Sequence, residues 1–151
     1  MLKFFYVCII IFSCELSSQI TVLQQLNFGT IVVAKNERVS SLELLPNGRS
    51  NITNDIHIVE AGEPAEILLD GLLPHQALSI SHTASNTSLT RVSASTPFFI
   101  LNELVYNTDI VTNGHGTAVF NVGGKINTLG NGSHYTDETF SAQFQLIIEY
   151  N

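Results

Sequence analysis

The clearest pattern lies at the end of the chain. Phe140, Ala142, Phe144, Leu146, Ile148 and Tyr150 are all apolar, and between them stand Ser141, Gln143, Gln145, Ile147 and Glu149. A repeat of two puts one set of side chains on each face of an extended strand. On a helix the same apolar set would scatter around the axis. The spacing predicts a strand over 140–150 with one face in a core.

Earlier segments repeat the pattern in shorter form. Ile20, Val22, Leu26 and Phe28 share one parity within 20–34, and Gly29 interrupts it as a bulge or bend would. A short strand over 39–45 is closed by the turn residues Pro46-Asn47-Gly48. Ile52, Ile56 and Ile58 share a parity; so do Ala65, Ile67 and Leu69, which Asp70-Gly71 follows. Strands are expected over 78–82, 89–94 and 98–106, the last two separated by Pro97. Ala118, Phe120 and Val122 precede Gly123-Gly124, read as a bend at a strand end. Turn-rich pieces stand at Asn113-Gly114-His115-Gly116 and over 129–133. The sum is about eight to ten short strands with frequent turn signals and no capped amphipathic helix. This predicts one all-β domain over 19–151, a single antiparallel immunoglobulin-like β-sandwich. An eight-stranded outer-membrane barrel is disfavoured, because such barrels want longer strands and aromatic girdles, and this chain has no Trp and only four Tyr.

Residues 1–18 follow a different rule. Lys3 precedes an unbroken apolar run over 4–12. That run is too short for a membrane-spanning helix and suits the centre of a secretory signal peptide. Cleavage is expected near Ser18, with lipid attachment at Cys14 as the alternative. The only two cysteines, Cys8 and Cys14, lie in this segment. The trimmed domain would hold no disulfide and would depend on apolar burial and sheet hydrogen bonds. Such a domain looks bacterial, and an exported periplasmic, cell-surface or extracellular location follows.

Charge narrows the partners. Thirteen acids against six Lys and Arg leave a formal charge of -7. Nucleic-acid binding needs the opposite sign, and so does electrostatic docking on anionic lipid. No transmembrane segment is expected in the mature form.

Candidate chemistry is sparse. His57, His75, His82, His115 and His134 show no metal-ligand spacing and read as single surface histidines. No Gly-x-Ser-x-Gly elbow is present. Glu60, Glu63, Glu66 and Asp70 cluster between two strands, where a calcium site or a carboxylate pair is conceivable. The calcium-loop spacing is absent and Pro64 interrupts the group, so a solvated acidic loop is the expectation. Gly123-Gly124 lacks the Lys of a phosphate loop. Glycosylation sequons at Asn51, Asn86 and Asn131 matter only in a eukaryotic secretory pathway. No residue is singled out as catalytic, cofactor-binding or metal-ligating, and no cofactor is expected.

Both ends of the domain carry a resemblance. Leu26-Asn27-Phe28-Gly29-Thr30-Ile31 resembles a Leu-x-Phe-Gly-x-Ile opening, and residues 64–71 resemble an Ala-x-Phe-x-Val-x-Gly strand. Val122-Gly123-Gly124, Tyr135 and the stretch from Phe140 to Tyr150-Asn151 are similar to the matching close. These motifs belong to the bacterial domain of unknown function 4402 family, which looks related to spore-coat-U-like and archaic chaperone–usher pilin domains. His134 and Asp137 stand where that family has Gly. The resemblance implies an exported sandwich and no catalytic residue.

Two functions are expected to compete. One is a non-enzymatic structural or surface protein, fimbria-like or adhesive, that self-associates or meets a chaperone by β-strand addition. Gln19 to Gln25 is the segment that could be donated if it detaches. The other is a carbohydrate- or peptide-binding module, or a weak hydrolase, using the loop carboxylates Glu60, Glu63, Glu66 and Asp70.

Overall fold

The computed structural model describes residues 19–83, 86–91, 94–135, 137 and 139–150; for residues 91 and 94–98 it describes the backbone only. The expected signal peptide, its cleavage point and the lipid site at Cys14 lie outside the described residues.

The described chain is all-β and antiparallel. Its thirteen strands are β1 Gln19–Gln24, β2 Thr30–Val33, β3 Ser41–Leu44, β4 Ser50–Ile52, β5 Ile56–Glu60, β6 Ala65–Asp70, β7 Ala77–His82, β8 Thr87–Arg91, β9 Ala94–Val105, β10 Asp109–Val111, β11 Ala118–Thr128, β12 Phe140–Ser141 and β13 Leu146–Tyr150. The main sheet runs β1-β6-β11-β9-β8-β12, with the hairpin β3-β4 joined to β11. A three-stranded sheet, β10-β7-β13, and the pair β2-β5 complete the arrangement. This agrees with the expected antiparallel sandwich.

The core forms because alternate positions face inward. Ala118, Phe120, Val122 and Ile126 of β11 are buried with Ala65, Ile67 and Leu69 of β6. Leu78 and Ile80 of β7 join the same cluster, as do Leu42 and Ile56. Burying each such side chain stabilises the fold by about 1.5–3 kcal/mol before ordering costs are counted. The alternation survives a break in β9. Leu101 and Leu104 are both buried although three residues apart, because the register with β11 shifts between Lys125 and Ile126. The shift leaves Asn102 as the additional residue, and an extra residue switches the faces.

β11 changes partners along its length. Its first half pairs with β6 and its second half with β3, while β9 lies on the other side. Gly123 and Gly124 stand at the handover. The expected bend at a strand end is thus corrected: both glycines lie inside a continuous strand. A Cβ on Gly123 would overlap the Leu44 carbonyl oxygen, so only glycine lets β3 approach there.

Other expectations need revision too. Pro97 does not separate two strands; it lies inside β9 opposite Thr90, where the register shifts on both sides. A proline has no N–H to donate, and a bulge accommodates that loss. The single strand expected over 140–150 is two strands. β12 pairs with β8 and β13 with β7, so the chain crosses between sheets over 142–145 while keeping its alternation. Ala142, Phe144, Leu146 and Ile148 all pack against the core. Gly29 behaves as expected, with φ of 79° and no room for a Cβ beside the Glu60 carbonyl. Pro46-Asn47-Gly48 closes the β3-β4 hairpin, where the Gly48 N–H donates to the Leu45 carbonyl at 2.9 Å.

The first strand departs most. Ile20 and Val22 lie directly opposite Leu69 and Ile67 of β6. Opposed residues share a face, so both point to the core side of the sheet. Yet Ile20 is 59% and Val22 56% exposed. Among the described residues, no opposing layer covers this edge.

Candidate cleft beside an open strand edge

The second layer contains a gap. A cleft of ≈ 950 Å³ opens between the segment 25–33, which includes β2, and the segment 135–144, which includes β12. Its floor is formed by Leu89 of β8, Phe99 and Leu101 of β9, and Ile126 of β11. One wall presents Leu26, Phe28, Ile31 and Val33; the other presents Tyr135, Phe140, Ala142 and Phe144. All eight wall residues are partly buried and packed on the core.

Aromatic contacts fix the second wall. The ring of Phe99 lies 4.8 Å from that of Tyr135 and meets Phe140 edge-on at 5.2 Å. Such geometries favour aromatic pairs beyond simple burial. The Leu129 N–H donates to the Tyr135 hydroxyl oxygen at 3.4 Å. Burial pushes the Tyr135 phenol above its ordinary pKa, and the Leu129 N–H partly opposes that rise. At neutral pH the Tyr135 hydroxyl is therefore uncharged. The charged residues lining the cleft are Glu63 and Asp137, both acids.

Among the described residues the β2 edge beside the cleft is unpaired on one side, since β2 bonds to β5 alone, while β12 pairs with β8. An edge strand offers a row of backbone N–H and C=O groups to any extended chain laid beside it. An apolar trough beside such an edge suits β-strand addition, in which backbone bonds give affinity and alternate side chains enter the trough.

The carboxylates of the rival reading are not gathered into one site. Glu60 ends β5 and accepts from the Thr30 hydroxyl at 2.8 Å. Glu63 lies in the loop bridged to Asn27 and accepts from the Gln24 side-chain amide at 3.0 Å. Glu66 and Asp70 are inside β6, not in a loop, and Asp70 accepts from the Gly71 N–H at 2.7 Å. Among the described residues no group of three His, Cys, Asp or Glu is placed to hold a metal ion. The acidic loop of the sequence is thus spread over a strand end, a bridge and a strand.

The histidines separate. His57 is on β5, His75 in a loop at φ 55°, and His115 and His134 are exposed. His82 is not a simple surface residue. Its Nδ1 is hydrogen-bonded to the Tyr106 hydroxyl at 2.6 Å, and the two rings meet edge-on at 5.5 Å. Burial raises the Tyr106 phenol above its usual pKa. This link ties β7 to the end of β9, and nothing in the residue spacing announces it. Asn36 is likewise unannounced by residue spacing. It is buried, its side-chain amide donates to Asn131 Oδ1 at 2.9 Å and the Ser133 carbonyl at 3.1 Å, and its Oδ1 accepts from the Gly130 N–H at 2.8 Å. The sequon residues Asn51, Asn86 and Asn131 are all exposed.

No family model matches the chain, and no curated protein or solved structure matches it. No helix among the described residues is long and apolar enough to cross a membrane.

Proposed function

We propose that this chain is a non-enzymatic structural or surface protein, exported and fimbria-like, whose working chemistry is to hold a strand supplied by a partner. The observation that carries this reading is the cleft itself: an apolar trough floored by core residues and lying between β2 and β12, with the β2 edge open on one side among the described residues. The apolar run over 4–12 supports export, and the motif resemblance leans the same way. The segment suggested as a donor, Gln19 to Gln25, is largely occupied as β1 against β6. The added strand therefore comes from another molecule, a chaperone or a neighbouring subunit. Acids at Glu63 and Asp137 favour an incoming strand with a basic end.

Calorimetric titration of the exported protein tests this. The probe is a short peptide alternating Val and Thr with a terminal Lys; a scrambled peptide of equal composition is the control. Saturable binding of the alternating peptide alone, weakened by Val33→Asp, is the expected result. Equal binding of both peptides, or of neither, would overturn the reading.

A further inference from the structure

We infer that Asn113–Gly114 is a self-modifying site. The Gly114 amide nitrogen closes on the Asn113 side chain, expels ammonia and leaves a succinimide, which water opens to aspartate or isoaspartate. The site lies in the turn between β10 and β11, away from the cleft, and does not rest on it.

The chain contains three Asn-Gly pairs, at 47–48, 113–114 and 131–132. Glycine puts no β-carbon beside its own nitrogen, so each pair could react on sequence grounds. The structure separates them by the state of that nitrogen. The Gly48 N–H donates to the Leu45 carbonyl at 2.9 Å, and the Gly132 N–H donates to the Asn36 carbonyl at 2.7 Å. Each must give up its hydrogen bond before the nitrogen can attack. The Gly114 N–H has no hydrogen-bond partner among the described residues.

The Asn113 side chain is held as the reaction requires. Its Oδ1 accepts from the His115 N–H at 2.9 Å and from the Thr117 N–H at 3.1 Å. Negative charge gathers on that oxygen as the nitrogen attacks Cγ, and two fixed donors stabilise it. Its Nδ2, the departing nitrogen, donates to the Thr117 hydroxyl at 2.6 Å. The bond formed joins Gly114 N to Asn113 Cγ, and the bond broken is Cγ–Nδ2. The Gly114 proton passes to water. Nδ2 takes a proton from the Thr117 hydroxyl, which water restores, so neutral ammonia leaves. One water then opens the ring, and a carboxyl group replaces the amide. Asn131 Oδ1 also accepts two bonds, from the Asn36 side chain and the Ser133 N–H. The donors alone therefore do not select the site; the free glycine nitrogen does.

Neighbouring backbone keeps this turn closed. The Asn113 N–H donates to the Thr117 carbonyl at 2.8 Å, the Gly116 N–H to the Asn113 carbonyl at 3.0 Å, and the Leu72 N–H to the Gly116 carbonyl at 3.1 Å. Isoaspartate inserts an extra carbon into that closed turn, and either product adds a negative charge.

The exported protein, kept folded at mildly alkaline pH and digested at intervals, provides the test. Peptide mass spectrometry reads the conversion of amide to acid at each pair. Asn113 is expected to convert about tenfold faster than Asn47 or Asn131, the factor that one hydrogen bond is worth. In urea the three rates converge. Gly114→Ala slows conversion at Asn113 while keeping the fold by circular dichroism. Gly114 is not at positive φ, and an added β-carbon would meet only His75 Nε2 at 3.9 Å. Thr117→Val, folded by the same criterion but lacking the proton donor, also converts more slowly. Equal rates at the three pairs in the folded protein overturn the inference. So does faster conversion at Asn47 or Asn131, an Asn113 that reacts only in urea, or a Thr117→Val variant that reacts as fast as the native protein.

Discussion

Gly123 sits against Leu44 so closely that any β-carbon there would overlap the Leu44 carbonyl oxygen. The contact marks the point where β11 leaves β6 and takes β3 as its neighbour. Neither backbone can retreat without breaking a ladder. Gly123→Ala is expected to destabilise the fold by about 1–3 kcal/mol. Gly48→Ala, at φ 80° with open space around it, costs about 1 kcal/mol from backbone strain alone. Urea unfolding of both variants gives the comparison. Equal effects would contradict the close approach.

Leu42 and Val119 make a second contrast. Leu42 is fully enclosed in the core, whereas Val119 on β11 is 53% exposed. Leu42→Ala should cost about 2–5 kcal/mol, and Val119→Ala should stay within about 0.5 kcal/mol. The same unfolding measurement decides it.

The Asn36 clasp holds the turn over 129–133 to the chain before β3. Asn36→Ala strands the Gly130 N–H and frees Asn131 and Ser133. A loss of about 1–3 kcal/mol is expected. Hydrogen exchange should quicken at Gly130 first. Unchanged exchange there would show that the turn stands without the clasp.

Stability at low pH depends on Asp55. The Arg38 Nε–H donates to Asp55 Oδ2 at 2.9 Å, and this hydrogen bond holds the carboxyl below its usual range. A depressed carboxyl stabilises the fold above its unfolded pKa of about 3.9, and the gain is lost as pH falls through the lower folded value. Melting temperature should therefore fall more for the native protein than for Arg38→Gln as pH drops below about 4. Both residues meet solvent, so the difference is small. Parallel curves would remove the pair from the account.

Much of the fold is legible in the chain because alternation is a local signal. Phe140 through Ile148 keeps its period of two across a switch between sheets, since the same parity faces the core on both sides. That very constancy hides the switch: no residue marks where β12 ends and β13 begins. The glycine pair was visible, but its role was not. Its demand comes from Leu44, far away in sequence. Ile20 and Val22 alternate like buried residues and are exposed, because burial depends on whether a second layer arrives. The cleft was likewise illegible. It is a gap between segments 25–33 and 135–144, and a gap has no residues of its own. The His82–Tyr106 bond joins positions whose nearness depends on the register of two sheets.

Hydrogen exchange of the backbone amides of β2 and β12, with and without the alternating peptide, tests the central claim most directly. Strand addition predicts new protection at amides on the open edge of β2, with the β6–β11 ladder unchanged. Binding that leaves the β2 edge exchanging freely, or that protects amides only outside 25–33 and 135–144, would contradict it.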